Sequence, residues 1–364
     1  MAMRFHWRLL QGGETGGDTR AAGAAREATG LPDLEHQLAF CRAAERAGIS
    51  GLLTDVGAAK PDPILLATAL GLDASTVEFI VAYRSNFCSP TLFVQQLNTL
   101  SGLIDGRLSL NVVAGHSPAE QRYYGDFLPH DERYARTAEW LHVSRRLWQS
   151  DGPVSFDGRY FKVEDAVLNT PYSSPQRSFP EIFIGGGSDQ ARQLAIDEGT
   201  LWMRLADAPE KVAESAAPVL AAGKEVGLRL SIVCRPSREE ALKAAYARLT
   251  SLDPQRAEHQ REKDFMQGSD SVSIKKTYRL ADVEWLTPWL WTGLVRSHGA
   301  PAVAMVGDPE QLAEAFIEYG RAGVSQYIIS GWPKLDEMVF FGDEVLPRIR
   351  ARERESAGDG QGAQ

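Results

Sequence analysis

Two short stretches combine residue types and spacing suited to holding an anion. Ile184-Gly185-Gly186-Gly187-Ser188-Asp189 ends an apolar run and opens a helical one. Backbone amides at a helix N-terminus bind phosphate or carboxylate, and glycines let it come close. The same pattern also serves purely steric strand-to-helix turns. His130-Asp131-Glu132-Arg133-Tyr134 stands before a second helical run. His130 and Tyr134 are four residues apart and can share a helix face, aiming two donors at one oxyanion, with Asp131 as N-cap. Read alone, this stretch is better explained as a capped helix start with an ion pair.

Other chemistries are disfavoured. There is no Gly-x-Ser-x-Gly elbow and no His/Cys/Asp/Glu cluster at metal-ligand spacing, so we expect no metal site. Cys41, Cys88 and Cys234 lie far apart without a Cys-x-x-Cys pair, which argues against a disulfide framework. A net charge of −9 makes a nucleic-acid partner improbable. No run approaches the ~18 apolar residues of a membrane helix, and Arg4, His6 and Arg8 interrupt any apolar leader. With 43% apolar and 24% charged residues, the chain reads as a cytoplasmic, reduced, soluble enzyme without a membrane partner.

The elements that must position these residues alternate. Strands are expected at 4–9, 51–54, 77–83, 108–113, 181–184, 201–203, 228–234 and 327–330, each followed by helical sequence, including helices at 34–47, 135–147, 208–226 and 335–346. Val154–Phe156 and Tyr160–Lys162 read as a hairpin around Asp157-Gly158. Eight strand–helix units predict an α/β fold, a (β/α)8 TIM barrel over 1–350; a doubly wound sheet is the alternative, but no Gly-x-Gly-x-x-Gly follows the first strand. Residues 12–30 read as a mobile loop, 251–291 as an insertion with a mobile, aromatic-rich lid, and 351–364 as a flexible tail. A barrel puts its chemistry at the strands' carboxyl ends. Candidates there are Thr54, Asp55, Arg84, Val113, Ala114, Gly186, Gly187, Ser188, Trp202, Arg229, Ser231 and Trp332. His116 and His298 read as polar loop residues.

Together, Ser89-Pro90-Thr91, Asp105-Gly106-Arg107-Leu108, Asn111-Val112-Val113-Ala114-Gly115, His130 to Tyr134, Gly185 to Asp189, Leu290-Trp291, Leu294-Val295-Arg296, Val306-Gly307-Asp308 and Ser330-Gly331-Trp332-Pro333 resemble the bacterial luciferase-like superfamily. The nearest resemblance is to the alkanesulfonate monooxygenase group, and it spans nearly the whole chain. It implies reduced FMN as cosubstrate with dioxygen, supplied by a separate NAD(P)H-dependent flavin reductase, in a homodimer or homotetramer. It places the FMN phosphate on His130, Tyr134, Gly186, Gly187 and Ser188, the flavin ring near Asn111, Val113 and Ala114, and a non-proline cis peptide near Tyr83 to Ser85. Arg229 and Arg296 match arginines that hold the sulfonate, which suits a forked, permanently charged donor.

The sequence departs from that group where substrate would sit. Ser231 replaces a histidine, Trp332 a tyrosine, Lys60 a cysteine, and Leu205 stands where a tryptophan is expected, with Trp202 nearby. The flavin half is kept and the substrate half rebuilt, so Arg229, Arg296, Trp332 and Ser231 are the catalytic candidates and Thr54, Asp55, Arg84 and Trp202 the substrate ones. The expected activity is insertion of one oxygen atom into a small organic substrate, an organosulfonate among the options. Alternatives are a deazaflavin-dependent oxidoreductase, a non-catalytic flavin-binding subunit, and a phosphate-binding barrel isomerase without flavin.

Overall fold

A computed structural model describes residues 2–10, 32–58, 60–250 and 268–359. The first strands are β1 (Arg4–Arg8), β2 (Gly51–Thr54), β3 (Glu78–Tyr83) and β4 (Leu108–Val113). A surface hairpin follows, β5 (Val154–Asp157) with β6 (Lys162–Ala166), then β7 (Glu181–Gly185), β8 (Leu201–Leu205) and β9 (Glu225–Cys234). The last are β10 (Leu290–Trp291), β11 (Ala304–Gly307) and β12 (Val324–Gly331).

Parallel pairing runs β1-β2-β3-β4-β7-β8-β9-β12 and returns to β1, closing the eight-stranded (β/α)8 barrel that the alternation predicts. One edge of β9 is shared: β8 pairs with its residues 225–229 and β11 with 231–234, so β10 and β11 extend the sheet where β8 ends.

Alternation along each strand sorts side chains between an outer and an inner layer. Outward residues such as Phe5, Trp7, Phe79, Ile184, Leu230 and Tyr327 pack beneath the helices. Phe5 stacks on Tyr327 at 5.2 Å while Phe316, from helix Pro309–Arg321, meets Phe5 edge-on at 5.2 Å. Each such buried ring contributes roughly 2–3 kcal/mol of apolar burial. That helix starts sharply because Asp308 and Gln311 form a reciprocal capping box before Pro309. Inward residues Leu53, Ile80, Ala82, Phe183, Leu201, Met203 and Ile328 fill the barrel with a separate apolar plug.

Below the plug, at the strands' N-terminal ends, is a polar floor. Arg4 pairs with Glu181, Ser109 donates to Glu78, and Gln326 donates to Glu225 at 2.8 Å. Gln326 Oε1 faces His6 Nε2 at 3.0 Å. Above the plug, Arg8, Asp55, Asn111, Gly185, Arg229 and Ser330 form the mouth.

Several elements differ from expectation. The helix drawn over 208–226 ends at Ala221, because Gly223 adopts φ +72° and the chain re-enters the sheet at Glu225. The tail expected from 351 is helical as far as Asp359. In the aromatic half of the insertion, Trp291 is fully buried in β10 and its ring lies 6.1 Å from Trp285. The loop expected at 12–30, and 251–267 of the insertion, lie outside the described residues. The three cysteines are free. Among the described residues no helix is long and apolar enough to cross a membrane.

Candidate active site

The first half of the site is a cradle between β7 and the helix Asp189–Asp197. Gly186 takes φ +143°, and a Cβ there would lie 2.6 Å from the Tyr134 hydroxyl. A Cβ at Gly187 would lie 2.9 Å from Ser273 Cβ. Only glycine leaves this backbone bare. Ser188 caps the helix, its Oγ accepting from Ala191 N at 3.1 Å, and bonds the Tyr134 hydroxyl. Burial holds the Tyr134 phenol above its ordinary pKa, with the Ser188 bond opposing, so it stays an O–H donor. The His130 ring meets Tyr134 edge-on at 5.0 Å. His130, Tyr134, Gly186, Gly187 and Ser188 are thus brought together. The helix begins at His130 after Pro129, so Asp131 lies in the first turn rather than at the N-cap; it pairs with His130 at 2.8 Å.

Asn111 and Val113 stand on β4 beside this cradle. Asn111 Oδ1 is buried with no hydrogen-bond partner. Gly185 passes so close that a Cβ would meet Val113 at 3.0 Å and Asn111 Oδ1 at 3.4 Å. Ala114 is held by Arg133, a fully buried residue not among the predicted site residues. Arg133 Nε donates to Ala114 O at 2.9 Å, and Nη1 to Leu128 O at 3.0 Å.

The second half lies around β9, β12 and β1, across the barrel in strand order. A narrow recess at the mouth is lined by Arg229, Ser231 and Trp332 of the predicted residues. Arg8, His298 and Lys334 also line it and were not predicted as site residues. Arg229 is oriented by donating to the carbonyls of Leu230 and Ile328, both at 3.1 Å, and to Ser330 Oγ at 2.9 Å. Ser231 Oγ donates to Pro301 O at 2.9 Å. Arg8 Nε donates to Asp55 at 2.5 Å, which places Asp55 at the cavity's edge. His298 is buried rather than a polar loop residue; its ring packs edge-on against Trp332 at 5.1 Å. Two-residue alternation from Arg4 through His6 would have pointed Arg8 into the mouth; nothing local marks His298.

The Ser330–Pro333 turn is anchored from behind. Burial pushes the Glu337 carboxyl up to about 7, with Arg235 at 2.8 Å and Cys234 N at 2.5 Å opposing that rise. Arg235 also donates to Trp332 O at 3.4 Å. The cis peptide among the described residues is Trp332–Pro333; none lies at Tyr83 to Ser85.

The remaining candidates are placed elsewhere. Thr54 shares the face of Leu52, toward the helices, and its hydroxyl donates to Ile80 O at 3.3 Å. Trp202 also faces the outer core; its indole donates to Gly186 O at 2.7 Å, so it props the cradle. Arg296 bonds Asp282 at 2.5 Å and is not among the residues lining the cavity. Arg84 is buried and bonds Glu120 at 2.5 Å, leaving its Nε and Nη1 without partners. Among the described residues no group of three His, Cys, Asp or Glu side chains is placed to hold a metal.

The site is thus a closed (β/α)8 barrel mouth with a bare glycine turn and an unpartnered Asn111 Oδ1. The donors and the bare backbone fit a flavin phosphate, and Asn111 offers the flavin ring an unmet acceptor. A sequence profile of luciferase-like monooxygenases matches residues 3–326, and the chain belongs to that family, as a flavin-dependent monooxygenase. Its fold is shared with EDTA monooxygenase from Chelativorans sp. BNC1, at 23% identity and TM-score 0.74 over 97% of this chain and 94% of that one. It is also similar to a riboflavin lyase, at 19% identity and TM-score 0.79 over 97% and 92%. An F420-dependent secondary alcohol dehydrogenase matches at 18% identity and TM-score 0.64 over 96% and 99%.

Proposed function

We propose that the protein is the oxygenase of a two-component system. Reduced FMN, delivered by an NAD(P)H-dependent flavin reductase, and dioxygen would serve to insert one oxygen atom into a small organic substrate carrying an anionic group. An organosulfonate cleaved at its C–S bond is one such substrate. The observation that supports this reading is that one barrel mouth carries both the bare glycine turn after β7 and, two strands on, the buried guanidinium of Arg229 on β9.

Reduced flavin, when bound, supplies the electrons that activate dioxygen. The chain's own residues do the rest. Tyr134 and Ser188 donate to the phosphate, while Gly186 and Gly187 expose backbone to it. Arg229, pre-oriented by three hydrogen bonds, presents a fixed cation to an anionic group. Trp332 and His298 close the cavity wall and exclude water from the reacting region.

Anaerobic titration with reduced FMN tests the cofactor. Micromolar binding is expected, followed by oxygen uptake accelerated by organic sulfonates or carboxylates and not by uncharged analogues. Turnover of a reduced deazaflavin without oxygen uptake would replace this reading.

A further inference from the structure

We infer that Ser273, on the helix that completes the insertion, is a further ligand of the flavin phosphate. The inference rests on the flavin reading above.

The helix Val272–Leu280 reaches the cradle under several constraints. Asp270, just before it, accepts from the buried guanidinium of Arg133 at 2.7 Å, and Asp270 N donates to His116 O at 3.1 Å. Lower on the helix, Lys276 donates to Asp207 at 2.9 Å. Docked so, the helix brings its first turn against Gly187, where an added Cβ would lie 2.9 Å from Ser273 Cβ and 3.9 Å from its hydroxyl. Ser271 caps the helix, its Oγ accepting from Ile274 N at 3.4 Å, and lies 3.1 Å from Ser273 Oγ.

Ser273 therefore stands against Gly187 of the glycine turn that carries Ser188, as Tyr134 stands against Gly186. A phosphate has three terminal oxygens, each able to take more than one charge-assisted hydrogen bond. Two hydroxyls from the barrel leave that capacity unfilled, and Ser273 brings a third from the insertion. The same Arg133 supports Ala114 beneath the flavin site and Asp270 beneath Ser273. Cofactor binding and the seating of the insertion's last helix then share one support.

The test compares reduced FMN with reduced riboflavin, which lacks the phosphate, in anaerobic titrations of the wild type, Ser273→Ala, Ser273→Asp and Ser273→Thr. Ser273→Ala should weaken FMN about ten-fold, as for a lost hydrogen bond to a charged group, and leave riboflavin within two-fold. Ser273→Asp should weaken FMN further by like-charge repulsion, and Ser273→Thr, which keeps the hydroxyl, should restore it. Unchanged FMN affinity in Ser273→Ala and Ser273→Asp overturns the inference. So does an equal loss for FMN and riboflavin, which would mark a packing role. A wild type that binds neither flavin would overturn the flavin reading itself.

Discussion

The two ends of the barrel are built from the same strands and treat polarity in opposite ways. At the floor, Arg4, Glu181, Gln326, Glu225, Ser109 and Glu78 join in one paired network. At the mouth, Asn111 Oδ1 is buried with no hydrogen-bond partner. The same strands supply both: β4 gives Ser109 to the floor and Asn111 to the mouth, two residues apart on one face. Desolvated polar groups are expensive unless paired. The floor meets that demand within the chain everywhere but at His6 Nδ1; the mouth leaves Asn111 Oδ1 unmet. Stability is thus concentrated at one end of the barrel and binding at the other.

The largest effect should come from breaking the floor. Glu181 accepts from Arg4, from Gln326 at 3.4 Å and lies 3.5 Å from Arg177. Glu181→Ala strands those donors and should cost about 4 kcal/mol in urea denaturation. Flavin affinity of the folded protein should stay at the wild-type value. A fall in affinity would mean that the two ends are not separable.

The floor also predicts a pH dependence. Gln326 spends its amide N–H groups on Glu225 and Glu181, so its Oε1 must accept, and His6 Nε2 carries the proton. His6 Nδ1 is then a bare lone pair, buried and unpartnered. Burial lowers the His6 pKa from 6.5 to about 4. A depressed histidine makes the folded state bind fewer protons than the unfolded one. Stability should therefore fall as pH drops from 6.5 toward 4, by roughly 3 kcal/mol at the limit. Denaturation midpoints across that window should flatten in His6→Gln.

What could be read from sequence follows the same division. The eight barrel strands were legible because a strand buried on both faces is a short apolar run, as in Glu78–Tyr83, bounded by polar turns. The cradle was legible because the φ of +143° at Gly186 is a local demand that glycine meets. β11 was not read as a strand: it has four residues and its place beside β9 depends on where β8 stops. Nor is the burial of His298, which packs against Trp332, a residue 34 positions later, visible locally. Thr54 ends β2 on the face that Leu52 fixes, toward the helices, which only the alternation along the strand reveals.

At the mouth, Gly186→Ala should act mainly on binding. The new Cβ would meet Tyr134 at 2.6 Å and Ala191 at 2.8 Å, at a φ of +143°. Such backbone strain costs about 2 kcal/mol. Reduced-FMN affinity should fall on the order of 100-fold, since relieving the clash must move Tyr134, a phosphate donor. Stability loss without an affinity change would make the turn a steric device only.

The smallest effect discriminates most sharply, because its sign is opposite to that of the floor. Asn111 Oδ1 is a buried acceptor with no partner. An unmet acceptor costs about 1–3 kcal/mol, so removing it should help the ligand-free protein. Asn111→Leu should raise stability by about 1 kcal/mol and weaken reduced FMN at least five-fold, the trade expected where a site holds polarity in reserve for its ligand. Removal of a polar group would then destabilise the floor at Glu181 on β7 and stabilise the mouth at Asn111 on the neighbouring β4. If Asn111→Leu instead lowers stability as Glu181→Ala does, the amide is meeting a structural need, and the mouth is not held open for flavin at that position.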